Sequence, residues 1–507
     1  MSSVLEHISG GGMAIPEVAT SYLNGTSQPI DPAADQIAVH FPGTAEAVCQ
    51  LQQDDPNSVE HAITTARAAF NSGHWSLMAV PEKQAIFRRA AGLIRERAAE
   101  LALLECVCAG LPYAHLMSRQ IPRAADNFEC FADYIGVIAG ESFDQLPGYQ
   151  TTVTRHPAGV AALFVPRNAP LALASMHIAS SVAFGNTCVL KPSELTPLSI
   201  LGLASLLEEA GLPPGTVNVV NGRGEVTGAA LAASANIDRI AFTGRGSTAQ
   251  TVMAAAAKNL TGVNLQLGSK SANIIFDDAD LDRAVDGALV NAFSNSGQIC
   301  VAGSRILVQR SVADRFIRQF IERTNALKVG DPFGADTEIG PVSDRAHCER
   351  ILAAIARAQA EGAALLCGGE GMDIAGGYFI APTVLQVESN ALALCQEEIF
   401  GPVASIQIFD EDDEAIAIAN DSRFGLVGYG WTGSIGRAQL LQRRLDAGSL
   451  WINTTVARDL RAPFGGFKQS GIGRDGPRHA AQFFTEEKST IVAIGDTPIR
   501  KMGLLEH

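Results

Sequence analysis

Residues 293–305 read FSNSGQICVAGSR and set Cys300 among small side chains, between a stretch of helical periodicity and a β-prone run. A thiolate held at such a junction is reachable from solvent and can attack an electrophilic carbon. A buried, inert cysteine is the competing reading of the same letters. Two glycine-rich pieces stand out: NGRGEVTG, with Gly222, Gly224 and Gly228, and FTGRGS, with Gly244 and Gly246 just after an expected strand. Glycines at a strand-to-helix junction let backbone N–H groups close on a pyrophosphate, whose charge the helix N-terminus favours. Neither piece matches GxGxxG, and ordinary tight turns use the same residues. Arg119, Arg123, Arg458 and Arg461 form a third group, suited to a carboxylate because the planar guanidinium fork binds both oxygens. Surface or interdomain salt bridges are the alternative for each of them.

These groups need elements to hold them. The segment from Pro81 to Gly110 carries apolar residues at helical spacing and ends at glycine, which predicts one amphipathic helix. From residue 158 onward, GVAALFVP, LALASMHIASSVAF and TCVLK read as strand, helix and strand. The alternation continues with helix 197–210, strand 216–220, helix 225–233, strand 238–242, helix 247–258 and strand 262–267. Strands alternating with helices imply parallel βαβ units and a doubly wound α/β sheet. RILVQ and the helical run after it predict a second α/β domain beginning near residue 270. YQTTVTRHP (149–157) and KSTIVAIG (488–495) fit neither domain; they pair as a protruding arm or form a surface hairpin.

The chain has 507 residues, 47% hydrophobic and 18% charged, with 49 glycines. That length calls for two or three domains and that composition for a soluble globular protein. A formal net charge of −15 argues against nucleic acid as the main partner. Nine cysteines without a CxxC pair or regular spacing point to reduced thiols in a cytoplasm rather than a disulfide framework or a metal site. No signal peptide is expected, and no apolar run reaches about 18 residues, so no membrane span is expected either. The terminal Leu505–Glu506–His507 reads as a tag remnant.

Five segments together resemble the aldehyde dehydrogenase superfamily in order and spacing: VLKPSELTP, QLGSKSANIIF, SGQICVAGSR, EEIFGPV and PFGGFKQSGIGR. The resemblance covers nearly the whole chain. It implies a Rossmann-type cofactor domain (1–148 and 158–268), an α/β catalytic domain (269–470) and a small β oligomerisation arm (149–157 and 484–500) of a homodimer or homotetramer. It also implies that Cys300 is the nucleophile and that Asn168, in PRNAP, stabilises the oxyanion with the Cys300 backbone N–H. Lys191 and Glu194 match residues that hold the adenosine ribose, and a carboxylate there suits NAD better than NADP. Glu398 and Phe400 match the pair that anchors the nicotinamide ribose and ring. Gly244 matches the glycine beside the pyrophosphate, and Val165, Ser193, Gly224, Arg245 and Leu267 complete the implied cofactor set.

The sequence departs from the family pattern where the hydrolytic water is activated. The usual LELGGK reads LQLGSK, so Gln266 replaces the expected glutamate. A neutral amide orients a water but cannot take its proton, a contribution worth about 10²–10⁴-fold. His177 stands where lysine is usual, and Asp475 where glutamate is usual. Either Gln266 is an engineered change that traps the thioester, or the native proton route is rewired with His177 as base; an engineered change would leave His177 and Asp475 as the family has them. RDLRAPFGGFKQSGIGRDGPRHAAQFFTE and IPRAADNFECFADY resemble the branch that oxidises 2-hydroxymuconic and 2-aminomuconic semialdehydes. Arg167 and Ala169, replacing the pattern PWNxP, are expected to add charge at the tunnel mouth and to widen it, which also admits larger or aromatic aldehydes. Two further readings are a CoA-acylating dehydrogenase, which needs no water-activating glutamate, and a catalytically silent homologue.

Overall fold

The computed structural model describes residues 15–503, so the tag remnant at 505–507 lies outside the described residues. Two helices, α1 (Val80–Glu96) and α2 (Ala98–Ala109), replace the single helix expected over Pro81–Gly110. The break is at Arg97, whose φ of −97° and ψ of 22° leave helical geometry. Its cause is a change of environment. α1 buries one face (Phe87, Ala90, Ala91, Ile94), whereas every residue of α2 from Leu101 to Ala109 is buried. One straight rod cannot lie on the surface and then pass through the core. Gly110 does end α2, in the left-handed conformation glycine permits. A π-helical turn, Leu116–Gln120, then leads into α3 (Ile121–Ile135), which packs on α1.

The first large sheet contains five parallel strands, β1 (Val160–Phe164), β2 (Thr187–Lys191), β3 (Val217–Val219), β4 (Arg239–Thr243) and β5 (Gly262–Gln266), in the order β5-β4-β1-β2-β3. Helices α4 (Pro170–Val182), α5 (Leu198–Glu209) and α6 (Gly246–Ala257) connect them. β1 and β2 are buried at every position, as a sheet covered on both faces requires. The strand order reverses between β1 and β4, which opens a crevice at their carboxyl ends, the usual place for a ligand in such a sheet. One expected element differs in detail: helix 225–233 starts with a π turn, Gly224–Gly228.

The second sheet runs β8-β9-β10-β7-β6-β11-β12, from β6 (Ala272–Ile275), β7 (Arg305–Gln309), β8 (Ala364–Cys367), β9 (Thr383–Gln386), β10 (Val403–Phe409), β11 (Val427–Trp431) and β12 (Ser449–Ile452). All its pairings are parallel except β8 with β9. Helix α7 (Leu281–Phe293) precedes the cysteine loop, and α8 (Arg345–Ala360) lies farther along the chain. The chain then returns to the first sheet, where Gly471–Ile472 pairs antiparallel with β5. That pairing adds to the first sheet a strand from beyond residue 470, whereas the expected cofactor domain ends at 268 and the expected catalytic domain at 470.

Residues Tyr149–Pro157 pair antiparallel with Thr485–Ala493 along their full length, so the two segments form an arm rather than separate hairpins. Glu141–Phe143, which the sequence placed in the cofactor domain, adds a third strand to it. Three exposed residues carry no alternation for a sequence reading to detect. Among the described residues no helix is long and apolar enough to cross a membrane.

Candidate active site

Cys300 follows a short segment in which Asn295, Ser296 and Gly297 all have positive φ (58°, 55° and 68°). Such a left-handed turn costs roughly 1–2 kcal/mol for each side-chain-bearing residue and persists only where its surroundings hold it. Here the fit is tight: a Cβ on Gly297 would lie 2.0 Å from the Gly401 carbonyl oxygen. The cysteine loop is therefore pressed against the EEIFG loop. Tyr429 donates its hydroxyl to the Val301 carbonyl at 2.7 Å, and Ser269 donates to the Cys300 carbonyl, so the peptide carrying the thiol is fixed from two sides.

The thiol is only partly accessible. Burial, reinforced by the Glu398 carboxylate, pushes it up to about 11, while Arg123 and Arg458 pull it the other way. Asn168, just before α4, donates its amide to the Gln298 carbonyl at 2.8 Å. Asn295 in turn donates to the Asn168 carbonyl at 2.7 Å. A side-chain amide has two N–H donors, so Asn168 keeps a second one beyond that bond. Asn295 carried no catalytic signal in the sequence; its part is to join the two loops.

The crevice at the ends of β1 and β4 opens into a cavity of about 860 Å³ lined by Arg245, Gly246, Leu267, Gly268, His347 and Glu398, among others. Helix α6 starts there, its N-cap position is Arg245, and no side chain caps its N–H groups. Gly244 N–H donates to the Gln266 carbonyl at 3.1 Å, placing the glycine turn beside β5. At the end of β2, Lys191 contacts Glu194 at 3.3 Å, and Val165 N–H donates to the Lys191 carbonyl at 3.1 Å. Ser193 accepts the Leu195 N–H at 3.3 Å, and Gly224 opens the π turn nearby. Glu398 accepts the Ser269 N–H at 3.1 Å, and Gly268 admits it because a Cβ there would meet Oε2 at 2.3 Å. Phe400 has φ 58°, and its carbonyl accepts from His347 Nε2 at 2.7 Å. Burial pushes His347 down to about 4, so the neutral ring donates at Nε2 and accepts from Arg350 at Nδ1. An open helix N-terminus, a Lys–Glu pair and a deep carboxylate fit a dinucleotide.

Gln266 ends β5 and is 6% exposed. Its amide nitrogen donates to Asn264 Oδ1 at 3.4 Å and to the Phe464 carbonyl at 3.5 Å, which leaves Oε1 without a partner. Two acceptors facing the nitrogen suit an amide and would oppose a carboxylate. Asn264 also reaches Asp475 Oδ1 at 3.4 Å. His177 Nε2 lies 2.9 Å from the Thr243 hydroxyl, and Thr243 is the register partner of Gln266. Burial lowers the imidazole below its ordinary range, with Asp475 partly restoring it. The ring is therefore neutral near pH 7.

The arginines separate cleanly. Arg123, on α3, and Arg458 both act on Cys300, and burial, with Arg458 adding to it, holds the Arg123 guanidinium below its ordinary range. Arg458 stacks over Phe464 at 4.5 Å, and its Nε and Nη2, like Arg123 Nε, are buried without a partner. Arg461 belongs elsewhere: it is 83% exposed and held by Asp459. Arg119 is also exposed. Arg167, expected at the tunnel mouth, instead lies 5.9 Å over the Phe400 ring, among Asp344, Arg245 and Glu194 on the cofactor side. Ala169 is buried at the start of α4.

The chain matches the aldehyde dehydrogenase family over residues 30–490. It belongs to that family. Betaine aldehyde dehydrogenase from Cereibacter sphaeroides is 38% identical over 465 residues, covering 92% of this chain and 95% of the relative. The 2-aminomuconic semialdehyde dehydrogenase of Bos taurus is 37% identical over 470 residues, covering 91% and 96%. The P. syringae indole-3-acetaldehyde dehydrogenase AldA, solved as a mutant in complex with NAD+ and IAA, superimposes with a TM-score of 0.94 at 36% identity, covering 97% of this chain and 99% of that one. This aldehyde dehydrogenase thus shares its fold end to end with enzymes of differing substrates.

Proposed function

We propose that this aldehyde dehydrogenase oxidises an aldehyde that also carries a carboxylate, with NAD as the hydride acceptor. The observation that carries the substrate class is the pair Arg123 and Arg458, two buried guanidinium groups with unpartnered N–H donors beside Cys300. Unpaired buried charge is costly, and a carboxylate would satisfy both groups. The same pair opposes a cationic substrate such as betaine aldehyde, because like charge in a closed tunnel acts against the wrong partner. An aldehyde of the muconic semialdehyde type meets these demands. A neutral aromatic aldehyde would leave both arginines unpaired.

Cys300 gives its proton to solvent, Arg123 and Arg458 favouring the thiolate, and adds to the aldehyde carbon, giving a thiohemiacetal whose oxyanion is held by Asn168 Nδ2 and the Cys300 N–H. Lys191, Glu194, Glu398 and Phe400 would hold NAD, which would supply the hydride acceptor. Loss of hydride leaves a thioester on Cys300. Gln266 Oε1 is free to accept a hydrogen bond from water and so to orient it, and His177, neutral and one side chain away through Thr243, is the base that takes the proton. The proton-accepting atom therefore lies beyond the amide, and acyl release is slow relative to hydride transfer. Transfer of the acyl group to CoA is a second reading, favoured by the same Gln266.

The arm formed by Glu141–Phe143, Tyr149–Pro157 and Thr485–Ala493 serves assembly into a homodimer or homotetramer in the cytoplasm. The first sheet with its helices acts as the cofactor domain and the second as the catalytic domain. The deciding experiment compares kcat/KM for a semialdehyde acid and its methyl ester in the wild type and in Arg458→Met. The wild type prefers the acid by about 10- to 100-fold, in line with charge-assisted hydrogen bonds of about 1.5–3 kcal/mol, and the variant loses that preference. Equal rates for acid and ester, or a preference for betaine aldehyde, refute the assignment. Adding CoA in the same assay identifies the acyl acceptor.

A further inference from the structure

Helix α4 begins two residues after Asn168, and its first turn has no cap of its own. The N-cap residue is Ala169, which has no side-chain acceptor, and Pro170 at the next position has no N–H. The next donor, the Leu171 N–H, is taken by Glu105 Oε2 at 2.9 Å. This carboxylate comes from α2, on a different part of the chain. It is 0% exposed, the same oxygen accepts the Ser199 hydroxyl of α5 at 3.0 Å, and Oε1 has no partner.

Among the described residues no lysine or arginine neutralises Glu105, and burial pushes its carboxyl up to about 7. An apolar residue would suit the surrounding core, and a glutamine would accept both hydrogen bonds without charge. What a carboxylate adds is complementarity to the positive end of a helix. Asn127 of α3 grips the same turn from another side, donating to the Ala172 carbonyl at 3.0 Å and to Ser175 Oγ at 2.9 Å.

We infer that Glu105 is a positioning residue for the oxyanion site, capping α4 from a neighbouring helix and so fixing the backbone that aims Asn168 at Cys300. This rests on the reading of Asn168 as the oxyanion donor. Catalytic groups must hold position to within about 0.5 Å, and a 1 Å misplacement costs about 10²-fold. Releasing the Leu171 N–H loosens the one turn whose preceding residue does the chemistry.

A double-mutant cycle tests the inference. The rate of the NADH burst is measured for Glu105→Leu, Glu105→Gln, Asn168→Ala and the two double variants. With Asn168 present, Glu105→Leu slows the burst by about 10- to 100-fold, and Glu105→Gln, which keeps an acceptor, slows it less. In the Asn168→Ala background neither Glu105 variant changes the rate by more than about threefold, since the positioned group is gone. Equal losses in both backgrounds, or an unchanged burst in Glu105→Leu, overturn the inference while leaving the role of Asn168 intact. An undiminished burst in Asn168→Ala overturns both. Should the leucine variant not fold, the glutamine variant carries the same cycle.

Discussion

Replacing Gln266 with glutamate tests whether the amide limits acyl release. The change removes the two donations from Nε2 and sets a carboxylate against the oxygens of Asn264 and Phe464, at 3.4 and 3.5 Å in the native arrangement. Glu105 provides an internal gauge: fully buried, yet accepting two hydrogen bonds, it is pushed up to about 7. A carboxyl at position 266, nearly as buried and facing acceptors, is likewise raised above the ordinary carboxylate range. Its ionisation is therefore incomplete at pH 7. If a fully ionised base contributes about 10²–10⁴-fold, the incompletely ionised carboxyl accelerates the steady phase by about 10- to 10³-fold at pH 7, and further as pH rises. The burst is unaffected, because attack by Cys300 does not use this atom. Stopped-flow recording of NADH from pH 6 to 9 separates the phases. A steady phase that stays unchanged, or flat with pH, refutes the reasoning, as does a wild type with no burst.

Cys300→Ser abolishes both phases while NADH titration still shows binding; any retained oxidation removes the nucleophile assignment. Gly297→Ala, whose Cβ would fall 2.0 Å from the Gly401 oxygen, displaces the cysteine loop from the EEIFG loop. It lowers the burst rate by at least about 10² and weakens NADH binding, because one contact serves both loops. The stability of the fold also depends on pH through Glu105. Its folded carboxyl lies above the ordinary 4.5, so the folded state holds the proton more tightly. The stabilisation is complete below about pH 4.5 and is lost as pH rises through about 7, an effect of about 3 kcal/mol. Denaturant midpoints for the wild type therefore fall between pH 5 and 8, and Glu105→Gln flattens that decline.

Elements whose signal is local were legible in the sequence. β1, β2, β4 and β5 and the helices between them announce themselves by apolar runs and glycine or proline stops, and the structure places them within a residue or two of expectation. Cys300, Asn168 and Glu398 were identified by motif, and they converge although they lie on three separate loops. What was not legible depends on contacts distant in sequence. The break at Arg97 arises because α2 dives into a core made by later segments. The choice of Arg123 and Arg458 over Arg119 and Arg461 follows from which way α3 and the loop after β12 face once folded. Arg167 points to the cofactor side because Phe400 offers it a ring face. Glu105 escaped notice because a cap supplied from another helix leaves no pattern near the helix it serves.

The last strand of the first sheet has a temporal consequence. Gly471–Ile472 covers the outer edge of β5, and a ribosome exposes that strand some two hundred residues after β5 itself. Until then β5 presents unpaired N–H and C=O groups, the template on which nascent chains stick to one another. Fragments ending before residue 471 should accordingly accumulate in inclusion bodies, and during synthesis the exposed rim is the place for a chaperone to hold.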